Sequence, residues 1–188
     1  MNYIFLVIWS LWFLSEILLN RMMGSKQSQS VSKSHDQNSL RFIWITIFIS
    51  ITAGIMCNIY FYFPLIESPW VNYAGLFLII AGMIFRFIAI YTLGKFFTVD
   101  VAFKESQKLI DTGLYKYIRH PSYTGSLLSF FGFGISLNNW LSVILIFIPV
   151  LVVFMYRIKI EEKLLSEKLG SSYTEYIKHT KRLIPFVY

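Results

Sequence analysis

The residues best suited to chemistry lie together past the middle of the chain. Residues 109 to 125 read L-I-D-T-G-L-Y-K-Y-I-R-H-P-S-Y-T-G, a polar, turn-rich cassette set between long apolar stretches. Arg119 and His120 run directly into Pro121. A residue before proline is driven out of the helical region, and proline suits the first position of a helix. A helix is therefore expected to start at Pro121. Its unpaired amide groups and positive dipole end, with Arg119 and His120 beside them, suit a carboxylate. Tyr115 and Tyr123 add hydroxyls and ring faces, and such faces attract cations. The same residues also fit a plainer reading, with Arg119 and His120 meeting lipid headgroups and the tyrosines joining an aromatic belt.

A second block, R-I-K-I-E-E-K-L-L, begins at Arg157. Arg157 and Glu161 stand four apart on one helical face, which Leu164, Leu165 and Lys168 continue, while Glu162 lies about 100° round the helix. Such a pair is ordinarily a solvated one worth about 0.3–0.5 kcal/mol. Here it follows a long apolar run, where isolated charge costs more. The chain then shows Tyr173, Tyr176 and Ile177 on one face of a short helix and a closing Arg182-Leu183-Ile184-Pro185. Taken alone, these read as packing and headgroup contacts. Gly132-Phe133-Gly134 has no strand before it and suits close helix packing rather than a dinucleotide. No metal-ligand pattern, nucleophile elbow or phosphate loop is present in the sequence.

These blocks must be positioned by a membrane bundle. Of 188 residues, 56% are hydrophobic and 14% charged, against about 25% charged in a soluble domain. Spans of roughly 17–25 apolar residues are expected at Tyr3–Leu19, Phe42–Phe63 and Val71–Leu93. The uncharged stretch from Pro121 to Tyr156, divided at Asn138-Asn139, reads as a hairpin of two more. The expected fold is all-α: one polytopic domain over residues 1–188, with three spans and a flexible 20–41 loop in 1–93 and the cofactor-binding half in 94–188. Residues 24–40 read as a linker with no site. Between Lys95 and Thr112 the alternation of apolar and polar residues suggests an extended segment on the membrane face, followed by a turn and a short interfacial helix near Tyr115. The first span lacks a basic leader and a cleavage site and is read as a mature helix.

Every lysine and arginine except Arg86 falls in the first loop, the 94–120 segment or the tail. The positive-inside rule then makes those segments cytoplasmic and the N-terminus external. The net charge of +7 is thus a topology signal, and nucleic acid is not the expected partner. Cys57 is the sole cysteine, which excludes an internal disulfide. Glu16 and Arg86 both fall toward the cytoplasmic ends of their spans; whether they pair or line a site stays open at this stage.

The cassette, the Arg157 block and the closing R-L-I-P together resemble the isoprenylcysteine carboxyl methyltransferase family, over residues 91 to 188. The resemblance implies an integral membrane enzyme using S-adenosylmethionine. It implies cofactor contacts from Lys108, Leu109, Ile110, Tyr115, Arg119, His120, Pro121, Ser122, Tyr123, Glu161 and Glu162. It also implies that Arg157 and Glu161 serve the reaction, with Arg157 and Arg182 toward the substrate. The implied acceptor is a prenylated cysteine or similar lipid that reaches the site from the bilayer. Related R-H-P blocks in phospholipid N-methyltransferases and sterol-type reductases supply alternatives, as does a non-catalytic lipid-binding or scaffold protein.

Overall fold

The computed structural model describes residues 3–23, 33–97 and 109–184. Its elements are α1 (Tyr3–Met23), α2 (Lys33–Tyr60), α3 (Trp70–Leu93), α4 (Pro121–Ser136), α5 (Trp140–Leu169) and α6 (Ser171–His179), with 3-10 turns at Gly94–Phe96 and Gly113–Lys116. Among the described residues the β contacts amount to one isolated parallel bridge between Ile118 and Lys181. The all-helical expectation holds.

Three helical stretches are long and apolar enough to cross a bilayer: Ser39–Tyr60, Trp70–Leu93 and Trp140–Leu169. The apolar part of α1, Tyr3–Leu19, is shorter. So is α4 with 16 residues, about 24 Å at 1.5 Å per residue against a hydrocarbon core of about 30 Å. The protein is an integral membrane protein. The hairpin divides where expected. Asn138 takes a left-handed φ of 51°, and Asn139 caps α5 by accepting from the Ser142 amide at 3.1 Å. The two asparagines also hold the loop after α2: Asn139 donates to the Phe61 carbonyl at 2.7 Å and Asn138 accepts from the Leu65 amide at 3.1 Å.

One expectation fails. The stretch read as a flexible loop over 20–41 is helical up to Met23 and again from Lys33. Its serines and charged residues tolerate helix once an apolar run extends the same helix, because propagation adds a bond for each residue fixed. The extended segment expected over 95–112 lies mostly outside the described residues; its first residues form the Gly94–Phe96 turn.

Helix α4 lies between α3 and α5, with α2 against α5 and α1 against α3. The α3–α4 contact is backbone-close. A Cβ on Gly125 would stand 2.7 Å from the Arg86 amide nitrogen, and one on Gly132 would stand 2.7 Å from the Gly75 carbonyl oxygen. Small residues permit this approach where no hydrophobic force draws helices together. An aromatic layer fills the centre, with Trp12 edge-on to Phe130 at 5.0 Å and Phe130 edge-on to Phe154 at 6.3 Å. Antiparallel packing gathers the ends of α1 and α3, the starts of α2 and α4, and the C-terminal half of α5 at one end of the bundle. Gly170, with φ 56°, ends α5 in a conformation that suits glycine and turns the chain into α6.

Candidate functional site

The cassette is built on the first turn of α4. His120 is the residue before it, with φ −125° and ψ 55°, and Pro121 occupies the first helical turn. The turn is fixed from outside by the tail. The Arg119 and His120 amides donate to the carbonyls of Lys181 and Arg182 at 2.7 and 3.1 Å, and the Lys181 amide donates to the Tyr117 carbonyl at 3.1 Å. A buried ionic centre secures this pairing. Glu162 accepts from Arg119 Nε at 2.9 Å and from Arg182 Nε at 2.9 Å, with Arg182 Nη2 also at 2.9 Å and His120 Nε2 at 3.4 Å.

The neighbouring carboxylate has a different setting. Glu161 sits 3.9 Å from His120 Nδ1 and, with Tyr123, faces a cavity of about 1540 Å³, its open mouth included. Leu109, Ile110, Tyr115, Arg119, His120, Ser122, Tyr123, Arg157 and Glu161 all line it. The structure therefore brings together most of the residues singled out in the sequence. Pro121, Glu162 and Arg182 are not among the lining residues: Pro121 begins the helix, and Glu162 and Arg182 bond to each other behind the wall. Lys108 lies outside the described residues.

Arg157 is 1% exposed and donates to the Ser39 hydroxyl of α2. Ser39 is not itself among the lining residues but holds one of them from behind, although residues 24–40 were expected to carry no site; no pattern in the sequence marks it. Leu40, Ile43, Trp44 and Ile47 continue from Ser39 along α2 as an apolar wall, met by Trp12 and Phe13 of α1. Tyr173 and Tyr176, read as packing residues, are buried and line the cavity as well. The Tyr176 hydroxyl donates to the Tyr115 carbonyl at 2.6 Å. Burial pushes the hydroxyls of Tyr115, Tyr173 and Tyr176 well above the usual tyrosine range, so all three remain protonated donors near neutral pH. Glu16 and Arg86 do both things left open above: they pair at 3.1 Å and they line the cavity. No group of three or more His, Cys, Asp or Glu that could hold a metal occurs among the described residues.

A cavity with a polar cassette at one side and an apolar wall at the other suits an amphiphilic, lipid-like ligand, and the geometry points to that class of protein. Comparison with known proteins sharpens that class. The model of the phospholipid methyltransferase family matches residues 70–172. Protein-S-isoprenylcysteine O-methyltransferase B of Arabidopsis thaliana is 35% identical over 145 residues, covering 76% of this chain and 73% of that protein. The Saccharomyces cerevisiae protein-S-isoprenylcysteine O-methyltransferase is 36% identical over 115 residues, covering 60% of this chain and 48% of its own length. Among solved structures, the eukaryotic intramembrane Ras methyltransferase, an isoprenylcysteine carboxyl methyltransferase, superposes with a TM-score of 0.63 at 27% identity, covering 97% of this chain and 65% of that one. The chain belongs to this family of membrane methyltransferases, in the company of the isoprenylcysteine O-methyltransferases.

Proposed function

We propose that this protein transfers a methyl group from S-adenosylmethionine to the carboxylate of a prenylated cysteine at the membrane. The observation that carries the reading is the continuity of the cavity wall. It runs from Tyr115, His120, Ser122, Tyr123 and Glu161 past buried Arg157 to the apolar faces of α1 and α2. The residues fit the cofactor. The Tyr173 hydroxyl and the Trp12 indole N–H belong to cavity-lining side chains, yet both are buried without a hydrogen-bond partner among the described residues. A bound ligand satisfies such orphan donors. Leu109, Ile110, Tyr115, His120, Ser122, Tyr123 and Glu161 would hold S-adenosylmethionine, with Arg119 securing the cassette through Glu162. When bound, the cofactor supplies an electrophilic methyl on a sulfonium.

The remaining work falls to the protein. A carboxylate acceptor is already ionised near pH 7, so the site needs no general base. It needs alignment and dryness. Arg157 would orient the carboxylate with its planar, two-pronged guanidinium, and the Ser39 hydroxyl holds that guanidinium in place. The aromatic and aliphatic wall excludes water, which strengthens the arginine's grip on a carboxylate. An isoprenoid chain reaching in from the bilayer would lie along the same wall. Arg182 and Glu162 serve from behind, by fastening the tail to the cassette. We read all five long helices as membrane elements and the cavity end as cytoplasmic, with the N-terminus outside, because the basic residues crowd that end.

A phospholipid amine acceptor is the second reading, favoured by the description of the matching family model. An amine must shed a proton before attack, so its rate would climb with pH where a carboxylate's would not. The test is methylation by the full chain in nanodiscs with methyl-labelled S-adenosylmethionine. Farnesylcysteine analogues with a free or an amidated carboxylate are compared with phosphatidylethanolamine. Base-labile label on the free carboxylate alone is expected. Label in phosphatidylethanolamine would favour the second reading, and binding of NADPH instead of S-adenosylhomocysteine would refute both.

A further inference from the structure

The apolar side of the cavity ends at one layer on four helices. Its deepest lining residues are Trp12 on α1, Ile47 on α2, Phe130 on α4 and Phe154 on α5. One turn further in on the same faces, Trp9, Ile51, Phe133 and Leu151 pack in the core and do not line the cavity. The four layer residues are buried, from 2% exposed at Trp12 to 7% at Ile47. Trp12 stands edge-on to Phe130 at 5.0 Å and tilted against Phe133 at 5.5 Å, and Phe130 meets Phe154 at 6.3 Å. Beneath this layer the helices close on one another. The Ser142 hydroxyl donates to the Gly54 carbonyl at 2.7 Å, and the Trp9 indole donates to the Ser136 hydroxyl at 3.1 Å. The layer is therefore a floor and not a passage.

A floor limits the length of whatever lies above it. The reacting carboxylate belongs at the polar rim of the cavity, level with the Arg157 guanidinium, and the Ser39 hydroxyl bonded to that guanidinium marks the level on α2. Ile47 lies eight residues further along α2, about 12 Å at 1.5 Å per residue. An extended chain advances about 1.2 Å per bond, so about ten bonds separate the carboxyl carbon from the floor. A cysteine thioether bearing two isoprene units needs about eleven bonds to its far end, and one bearing three needs about fifteen. The first just reaches the floor. The second overshoots it by about 5 Å at the same advance per bond and has to bend back toward the open side. Forcing extra carbons into a packed wall is penalised, and the bilayer the arm leaves is as apolar as the wall, so no hydrophobic gain offsets it.

We propose that the layer of Trp12, Ile47, Phe130 and Phe154 gauges the lipid arm of the acceptor and sets its preferred length at two isoprene units. Trp12 and Ile47 are the specificity-determining residues, since they close the floor from the two helices that form the apolar wall. The inference deepens the reading of the acceptor as a prenylated cysteine carboxylate and rests on it.

The test is steady-state methylation by the full chain in nanodiscs of free-carboxylate cysteine analogues carrying dimethylallyl, geranyl, farnesyl or geranylgeranyl arms. In the wild type kcat/KM should peak at geranyl and fall about tenfold or more at farnesyl, the fold-change expected of overpacking, with geranylgeranyl no better. Trp12→Ala deepens the slot and should move the optimum to farnesyl. Ile47→Phe raises the floor and should move it to dimethylallyl. Affinity for S-adenosylhomocysteine should stay unchanged in both variants. Loosened packing alone would lower all four substrates together and could not move the optimum in opposite directions. A wild type that uses geranyl and longer arms equally, or prefers farnesyl or longer, overturns the proposal. So does an optimum that stays in place in both variants. Should W12A not fold, an unmoved optimum in I47F overturns it equally. Wild-type protein that methylates none of the four but labels phosphatidylethanolamine would sink the carboxylate reading, and this proposal with it; free carboxylates methylated without regard to length would sink this proposal alone.

Discussion

Neutralising the adjacent glutamates Glu161 and Glu162 should damage the protein in two separable ways. Glu162→Gln removes the charge from a centre that binds Arg119 Nε, Arg182 Nε and Arg182 Nη2, each at 2.9 Å. The side chains of Glu162, Arg119 and Arg182 are 10%, 8% and 30% exposed. Removing one partner of a buried pair costs about 3–5 kcal/mol, and the partial exposure of Arg182 puts this case near the low end, about 3 kcal/mol. At roughly 2–4 °C per kcal/mol for a chain of this size, the melting temperature should fall by roughly 6–12 °C. Glu161 is 32% exposed at the cavity. Glu161→Gln should cost less than about 1 kcal/mol of stability, yet weaken S-adenosylhomocysteine binding by about 1–3 kcal/mol, the loss of one buried polar partner. Cys57, the sole cysteine and 6% exposed, reports unfolding through a thiol-reactive dye, and calorimetry gives the affinity. If E162Q melts with the wild type, or E161Q melts as low as E162Q, the division between a cavity carboxylate and a structural one is wrong.

Four further outcomes follow from the same contacts. Arg157→Lys should leave S-adenosylhomocysteine affinity nearly intact while methyl transfer drops about tenfold or more, because lysine keeps the charge and loses the two-pronged geometry; wild-type turnover would exclude Arg157 as the clamp. Ser39→Ala should lower turnover by about tenfold through loss of a hydrogen bond to a charged group, with Ser39→Thr restoring it; a variant as active as wild type would show that Ser39 only packs. Gly125→Ala brings a Cβ to 2.7 Å from the Arg86 amide and should destabilise by about 1–3 kcal/mol as overpacking, read as an earlier melt. Cysteines introduced at Ser68 and Ser172, in a variant lacking Cys57, should label from opposite faces of a sealed vesicle, and labelling from one face would break the assigned sidedness.

Much of the fold was legible because a bilayer enforces it. Apolar runs of span length, uncharged but for Arg86 in α3, have few options but helix, so α3 and the α4–α5 hairpin stand close to where hydropathy and the Asn138-Asn139 break put them. The start of α4 at Pro121 was equally determined, since proline fixes its own backbone and that of His120. The cassette and the Arg157 face were visible through their residue types and spacing, and the structure gathers nearly all of them around one cavity. Local pattern did not reveal which way Glu161 and Glu162 point. They are neighbours in sequence with the same chemistry, and only the return of the tail, which brings Arg182 beside Arg119, turns one into a structural centre and leaves the other facing the cavity. Ser39 was hidden for a related reason. A serine in a polar stretch looks like linker until α2 packs on α5 and buries it against Arg157. The sequence by itself determined the helices and the chemical parts; the tertiary structure decided their partners, because a buried charge is defined by whatever the fold brings within hydrogen-bond distance of it.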